Sequence, residues 1–106
     1  MQAGSLDKRI RIERRIDTQD PYGEPIPTWE LFADVAANVK ALDPRERPVA
    51  QQLVGLLDTE FRIRWIPGVD ETMRVVYSGR VYDIAPPVEI GRRDGLLLFG
   101  VAKGRL

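Results

Sequence analysis

The sequence predicts a mainly β domain: a small antiparallel β-barrel or sandwich of about six strands, with one short helix and a long proline-containing loop. Three observations predict it. Apolar and polar residues alternate over several short segments, which is the period of strands with one buried face. Ser78-Gly79 and Arg92-Arg93-Asp94-Gly95 each separate a pair of such segments and read as hairpin turns. Helical spacing without a competing strand reading occurs in one place only. The chain has 106 residues, so a single domain spanning 1–106 is expected. Its 43% apolar and 30% charged content is that of a globular chain rather than a disordered one.

Taken in order, residues 8–16 place Ile10 and Ile12 on one face and Arg9, Arg11 and Glu13 on the other, as a half-buried strand would. Residues 17–27 read as a long loop, because Pro21, Pro25 and Pro27 each remove a ladder donor. Residues 28–42 are compatible with a helical turn around Trp29, Phe32 and Ala33, but Val35, Ala37 and Val39 favour an extended segment over about 31–42. The helix is expected near 48–57, where Val49, Ala50, Leu53, Val54 and Leu57 form one apolar stripe and Pro48 suits the first helical position. Phe61, Ile63 and Trp65 alternate with Glu60, Arg62 and Arg64 as a third strand. Residues 73–77 and 80–84 form a hairpin across Ser78-Gly79, and 88–90 and 96–101 form another. Phe61, Trp65, Tyr77, Tyr82 and Phe99 are the expected aromatic core.

Composition removes much chemistry. Without Cys or His there is no disulfide scaffold, no thiol nucleophile, almost no zinc site, and none of the commonest general base. The two serines fall in an expected tail and turn, and a phosphate-cradling glycine loop is absent. Asp83 and Glu89 resemble paired carboxylates only by proximity in sequence. No enzymatic activity and no cofactor or metal are therefore expected. The longest apolar run covers 96–102, far short of the roughly 20 residues of a membrane helix, and residues 1–5 are followed by no signal-peptide core. A soluble intracellular product without membrane partners is the expectation.

Net charge is zero, with 16 basic and 16 acidic residues, so no general field attracts nucleic acid. The distribution is uneven. Residues 1–15 hold five basic and two acidic residues, while 16–34 hold Asp17, Asp20, Glu24, Glu30 and Asp34 with no Lys or Arg. This is either a solvated acidic loop, or an acidic arm meeting the basic surface of a neighbouring subunit in a head-to-tail ring. Arg9, Arg11, Arg62 and Arg64 lie on the non-core faces of their strands and would form a basic interface strip if those strands were adjacent. Tyr22 and Trp29 bracket the proline-rich segment, and each either staples it to its own domain or anchors it in a neighbour.

The ordered series of short motifs resembles a known family. Ala3-Gly4-Ser5-Leu6 leads into a charged strand, Arg9 to Arg14, followed by Tyr22-Gly23-Glu24-Pro25 and Thr28-Trp29-Glu30. Ala36-Ala37-Asn38-Val39, Leu42, Arg45-Glu46 and Ala50-Gln51-Gln52 come next. The chain then continues through Phe61-Arg62-Ile63-Arg64, Met73 to Tyr77, and Gly79 to Ile84. This resembles the head–tail joining family of tailed phages, the head-closure or stopper proteins, found also in prophages and gene transfer agents. Two features depart from the pattern: Val35-Ala36-Ala37 stands where many members have an aromatic, and Leu96-Leu97-Leu98-Phe99 is unusually apolar.

The resemblance implies a structural virion protein forming a ring of six or twelve copies beneath the portal and adaptor. The ring would close the channel after packaging, let double-stranded DNA pass without sequence recognition, and dock the tail terminator or tail tube. It would assemble in the host cytoplasm and reside at the head–tail interface of the particle. The resemblance takes Asp20, Tyr22, Gly23, Glu24, Pro25, Trp29 and Glu30 as the arm that contacts subunits or partners. Residues 17–30 are then expected to be mobile in the isolated subunit and ordered in the ring, with a flexible N-terminus over 1–6. A tail terminator, another connector component, or a small nucleic-acid-binding barrel are the alternatives.

Overall fold

In a computed structural model, which describes residues 6–42 and 57–105, the chain forms seven strands. They are β1 (Lys8–Gln19), β2 (Pro25–Ala41), β3 (Thr59–Ile63), β4 (Arg74–Tyr77), β5 (Arg80–Ile84), β6 (Val88–Ile90) and β7 (Gly95–Arg105). All pairings are antiparallel. The order β3-β2-β1-β4-β5-β7 closes through β3–β7 pairing into a six-stranded barrel, and β6 adds to the same edge of β7 that β5 uses further along. The expected β-barrel is therefore present. The helix expected over 48–57 and the N-terminus expected to be flexible lie outside the described residues, apart from Leu6 and Leu57, the latter buried.

The barrel interior is filled by the residues whose alternation predicted it. Ile10, Ile12, Ala37, Phe61, Ile63, Val75, Tyr82, Ile84, Leu96 and Leu98 form one buried cluster. Phe61 sits at its centre, edge-on to Tyr82 at 5.0 Å and Tyr77 at 6.1 Å between ring centroids, the arrangement favoured by the ring quadrupoles. Tyr82 and Phe99 are buried; Tyr77 and Trp65 are only partly so, and the Arg93 guanidinium covers the Trp65 ring at 4.8 Å. Gly100 lies where a Cβ would come within 3.3 Å of the Asp83 carbonyl and the Phe61 ring, so the absence of a side chain lets β7 cross the core closely. The Ser78-Gly79 turn has both residues at positive φ, 53° and 76°, as a two-residue type I′ hairpin requires.

The largest difference from the expectation concerns residues 17–27. They are not a long loop: β1 and β2 stay paired from Lys8↔Ala37 out to Gln19↔Pro25, and only residues 20–24 turn. The prolines are compatible with a ladder because of where they fall. The Asp20 amide donates to the Glu24 carbonyl, so alternation makes Thr18↔Ile26 and Ile16↔Thr28 the hydrogen-bonded pairs. Pro25 and Pro27 then point their nitrogens to the outer edge of β2, where no strand is present, because β3 pairs only from Ala37 to Ala41. A bulge at Phe32 shifts the register between Ile12 and Glu13. Beyond it the β1–β2 hairpin leaves the barrel as a two-stranded arm, and the molecule is 48 Å long against 30 and 26 Å across.

The closed barrel also has two distinct poles. The arm rises from one, together with the start of β4 and the 91–94 turn. The ends of β2 and β4, the start of β3 and Arg105 point to the other, which is where residues 42 and 57 flank the intervening segment.

Candidate functional site

The arm is held by contacts along its length, from its tip downward. Asp20-Pro21-Tyr22-Gly23 forms a turn closed by the Gly23 amide donating to the Asp20 carbonyl at 3.0 Å. Pro21 fixes φ at the first corner position, and Gly23 takes the positive φ (83°) that follows. The Asp20 Oδ1 accepts the Tyr22 and Glu24 amides at 2.8 and 2.9 Å, so this side chain holds the turn from within. Below the tip, Thr18 and Thr28 hydroxyls meet at 3.0 Å across the strands, and Arg14 pairs with Glu30 directly opposite.

The root of the arm is fastened to the barrel wall by a cluster that pattern reading did not isolate. Glu13 lies on the outer face of β1 yet is 7% exposed. Arg74, its register partner on β4, donates from Nε to Glu13 Oε1 at 2.8 Å, and its Nη2 lies 2.8 Å from the same oxygen. Arg11 approaches the other oxygen at 3.4 Å. The Arg74 guanidinium lies 4.3 Å from the centre of the Trp29 ring, so one cation joins a buried carboxylate to an aromatic on the arm. The sequence signal is weak, because Glu13 and Arg74 are 61 residues apart and each looks like an ordinary exposed position in its own strand.

The two bracketing aromatics therefore part ways. Trp29 staples the arm to its own barrel; Tyr22, at the tip, is 91% exposed. Ile26 and Leu31 on β2 are also largely exposed. Of the residues expected in the arm, Asp20, Tyr22, Gly23, Glu24 and Pro25 cluster at its tip, while Trp29 and Glu30 sit near its root.

The charge pattern resolves largely within one chain. Arg9 donates to Asp34 Oδ1 at 3.0 Å and to its carbonyl at 3.2 Å, Arg14 pairs with Glu30, and Arg15 with Asp17 at 3.3 Å. The basic amino-terminal strand and the acidic segment are thus the two sides of one hairpin, and most of their complementarity is internal. Asp20 and Glu24 at the tip carry no cationic partner among the described residues.

The expected basic strip is present in altered form. β1 and β3 are not adjacent, because β2 lies between them. Arg9 and Arg64 nonetheless both line a groove of about 220 Å³, together with Leu6, Asp34, Val35, Ala36 and Ile66. Arg64 and Arg62 have no ion-pair partner among the described residues, whereas Arg9 and Arg11 do. Asp83 and Glu89 do not form a carboxylate pair. They sit opposite Val101 and Leu96 of β7, roughly 16 Å apart along the strand, and Asp83 faces Lys103.

Comparison with known proteins adds to this geometry. The profile of a family described as phage head completion protein matches residues 1–102. The solution structure of a Shigella flexneri 2a protein is 27% identical, with a TM-score of 0.76 over 96% of both chains. A chain from the virion of a native gene transfer agent particle has the same fold, with a TM-score of 0.61 and 19% identity over 93% of this chain and 94% of that one. No curated protein matches by sequence.

Proposed function

This chain belongs to the phage head completion protein family, a family of structural head proteins, and on that premise we propose that it is a head-closure subunit. Copies form a ring of six or twelve between the portal or adaptor and the tail. The ring retains packaged DNA and presents the surface on which the tail terminator or tail tube docks. The subunit is made in the host cytoplasm and ends in the particle, as the gene transfer agent chain does in its virion.

The observation that carries this reading is the arm. It is a two-stranded ribbon with unpaired outer edges that ends in a tyrosine nine-tenths exposed. It is fixed at the root and chemically open at the end, which suits a contact made with another molecule. The absence of a strong cationic field suits a ring through which a duplex must slide. A nucleic-acid-binding barrel draws little support, since Arg9, Arg11, Arg14 and Arg15 all face carboxylates.

Electron microscopy of particles produced with this gene deleted tests the proposal. Unjoined heads and tails, with DNA leaking from packaged heads, are expected. Filled, stable heads beside unattached tails would move the protein to the tail side, and normal particles would overturn the assignment.

A further inference from the structure

Resting on the ring reading, we infer that the arm tip of one copy seats in the Arg9/Arg64 groove of the next. Two features of the two surfaces correspond. The tip presents one exposed aromatic, Tyr22, between two carboxylates, Asp20 and Glu24, that no cation neutralises among the described residues. The groove offers an apolar lining from Leu6, Ala36 and Ile66 and two guanidiniums, those of Arg9 and Arg64. Ala36 is the small residue that makes it concave: its side chain separates Arg9 from Arg64 on the outer wall. An aromatic ring over a small apolar floor with carboxylates reaching rim arginines is the pattern of an interface anchor.

Charge decides the pairing within the groove. Asp34 also lines it and would repel an acidic tip, but Arg9 pairs with its carboxylate at 3.0 Å and donates a second bond to its backbone carbonyl. Arg64 remains uncompensated and is the cation available to Glu24 or Asp20. The residues from Ile16 to Trp29 include three acids and no base, so the tip is a net anion approaching a net cation.

The arm cannot reach the groove of its own chain. Ala36 and Pro25 are eleven residues apart on one extended strand, roughly 35 Å. The tip turn is closed by backbone bonds and the root is held by Glu13 and Arg74, so the ribbon does not fold back. The tip can therefore meet such a groove only on a second copy. Tip and groove are different patches of one surface, so the contact is head-to-tail and repeats around a closed ring.

The test places a photoreactive benzoylphenylalanine at Tyr22, which keeps an aromatic at the tip, and irradiates assembled particles. A cross-linked dimer joining position 22 to residues 34–36 or 64–66 is expected. Links mapping to a different protein, or to another face of the barrel, overturn the inference while leaving the head-closure role standing. No link in particles that contain the chain does the same. A chain absent from particles removes both.

A charge exchange supplies an independent measurement. Glu24→Arg and Arg64→Glu alone should each lower the yield of joined particles by about tenfold or more, and the double variant should recover most of it. Both positions are exposed, so the thermal midpoint should not move. Equal loss in the double variant would overturn the pairing.

Discussion

Glu13 and Arg74 are the residues whose loss should be felt furthest from their own positions. Removing the cation with Arg74→Ala leaves a carboxylate that is 7% exposed with only Arg11 nearby, and an uncompensated buried charge costs about 3 kcal/mol. The expected outcome is a lower urea midpoint, measured by tyrosine and tryptophan fluorescence. A Glu13→Gln and Arg74→Met double variant should recover most of that loss, because it removes both charges together. At the core, Gly100→Ala pushes a methyl to 3.2–3.3 Å from Tyr82 Cβ, the Asp83 carbonyl and Phe61. Neither the backbone oxygen nor the buried ring has room to retreat, so a loss of about 1–3 kcal/mol is expected in the same unfolding assay.

At the scale of elements, the arm and the barrel should separate experimentally. Ile16 and Thr28 are a hydrogen-bonded register pair, so replacing residues 17–27 by Asn-Gly closes the hairpin early with a favourable turn. The shortened chain should keep its far-UV circular dichroism and thermal midpoint and lose the ability to join heads to tails. Loss of the folded state instead would make the distal ribbon part of the core. In hydrogen exchange, Ile16, Thr18, Ile26 and Thr28 amides, which face the partner strand, should exchange more slowly than those of Arg15, Asp17 and Gln19. An arm as unprotected as a random coil would contradict the ladder.

What was legible in the sequence follows the range of the interaction. Local turn chemistry at Ser78-Gly79 and period-two alternation at Ile10/Ile12 and Phe61/Ile63 identify strands and their buried faces, because each signal lies within a few residues. The arm was read as a loop because prolines were counted without regard to which edge their nitrogens face. The Phe32 bulge leaves no compositional mark. Closure of β3 onto β7 and the burial of Glu13 depend on partners 37 and 61 residues away, which no local pattern contains. The arginine strip failed as expected and survived in part for the same reason: β2 separates the two strands, yet Ala36 is small enough to let Arg9 and Arg64 share a groove.

For the whole molecule, zero net charge and the pairing of the β1 arginines with carboxylates predict that the free chain does not retard double-stranded DNA, even at low salt. A salt-dependent shift in a gel assay would revive the nucleic-acid reading. The fold also has a mechanical consequence. Both strands of the arm run uninterrupted into the barrel, where β2 is paired to β3 and β1 to β4. A pull on the tip along the ribbon therefore loads those ladders in shear, stretching their hydrogen bonds together instead of peeling them one after another. The β1–β4 ladder, over Arg11, Ile12 and Glu13, is the short one. The Glu13–Arg74 ion pair stands at its end, so the charge buried at the root doubles as a rivet where that load enters the barrel.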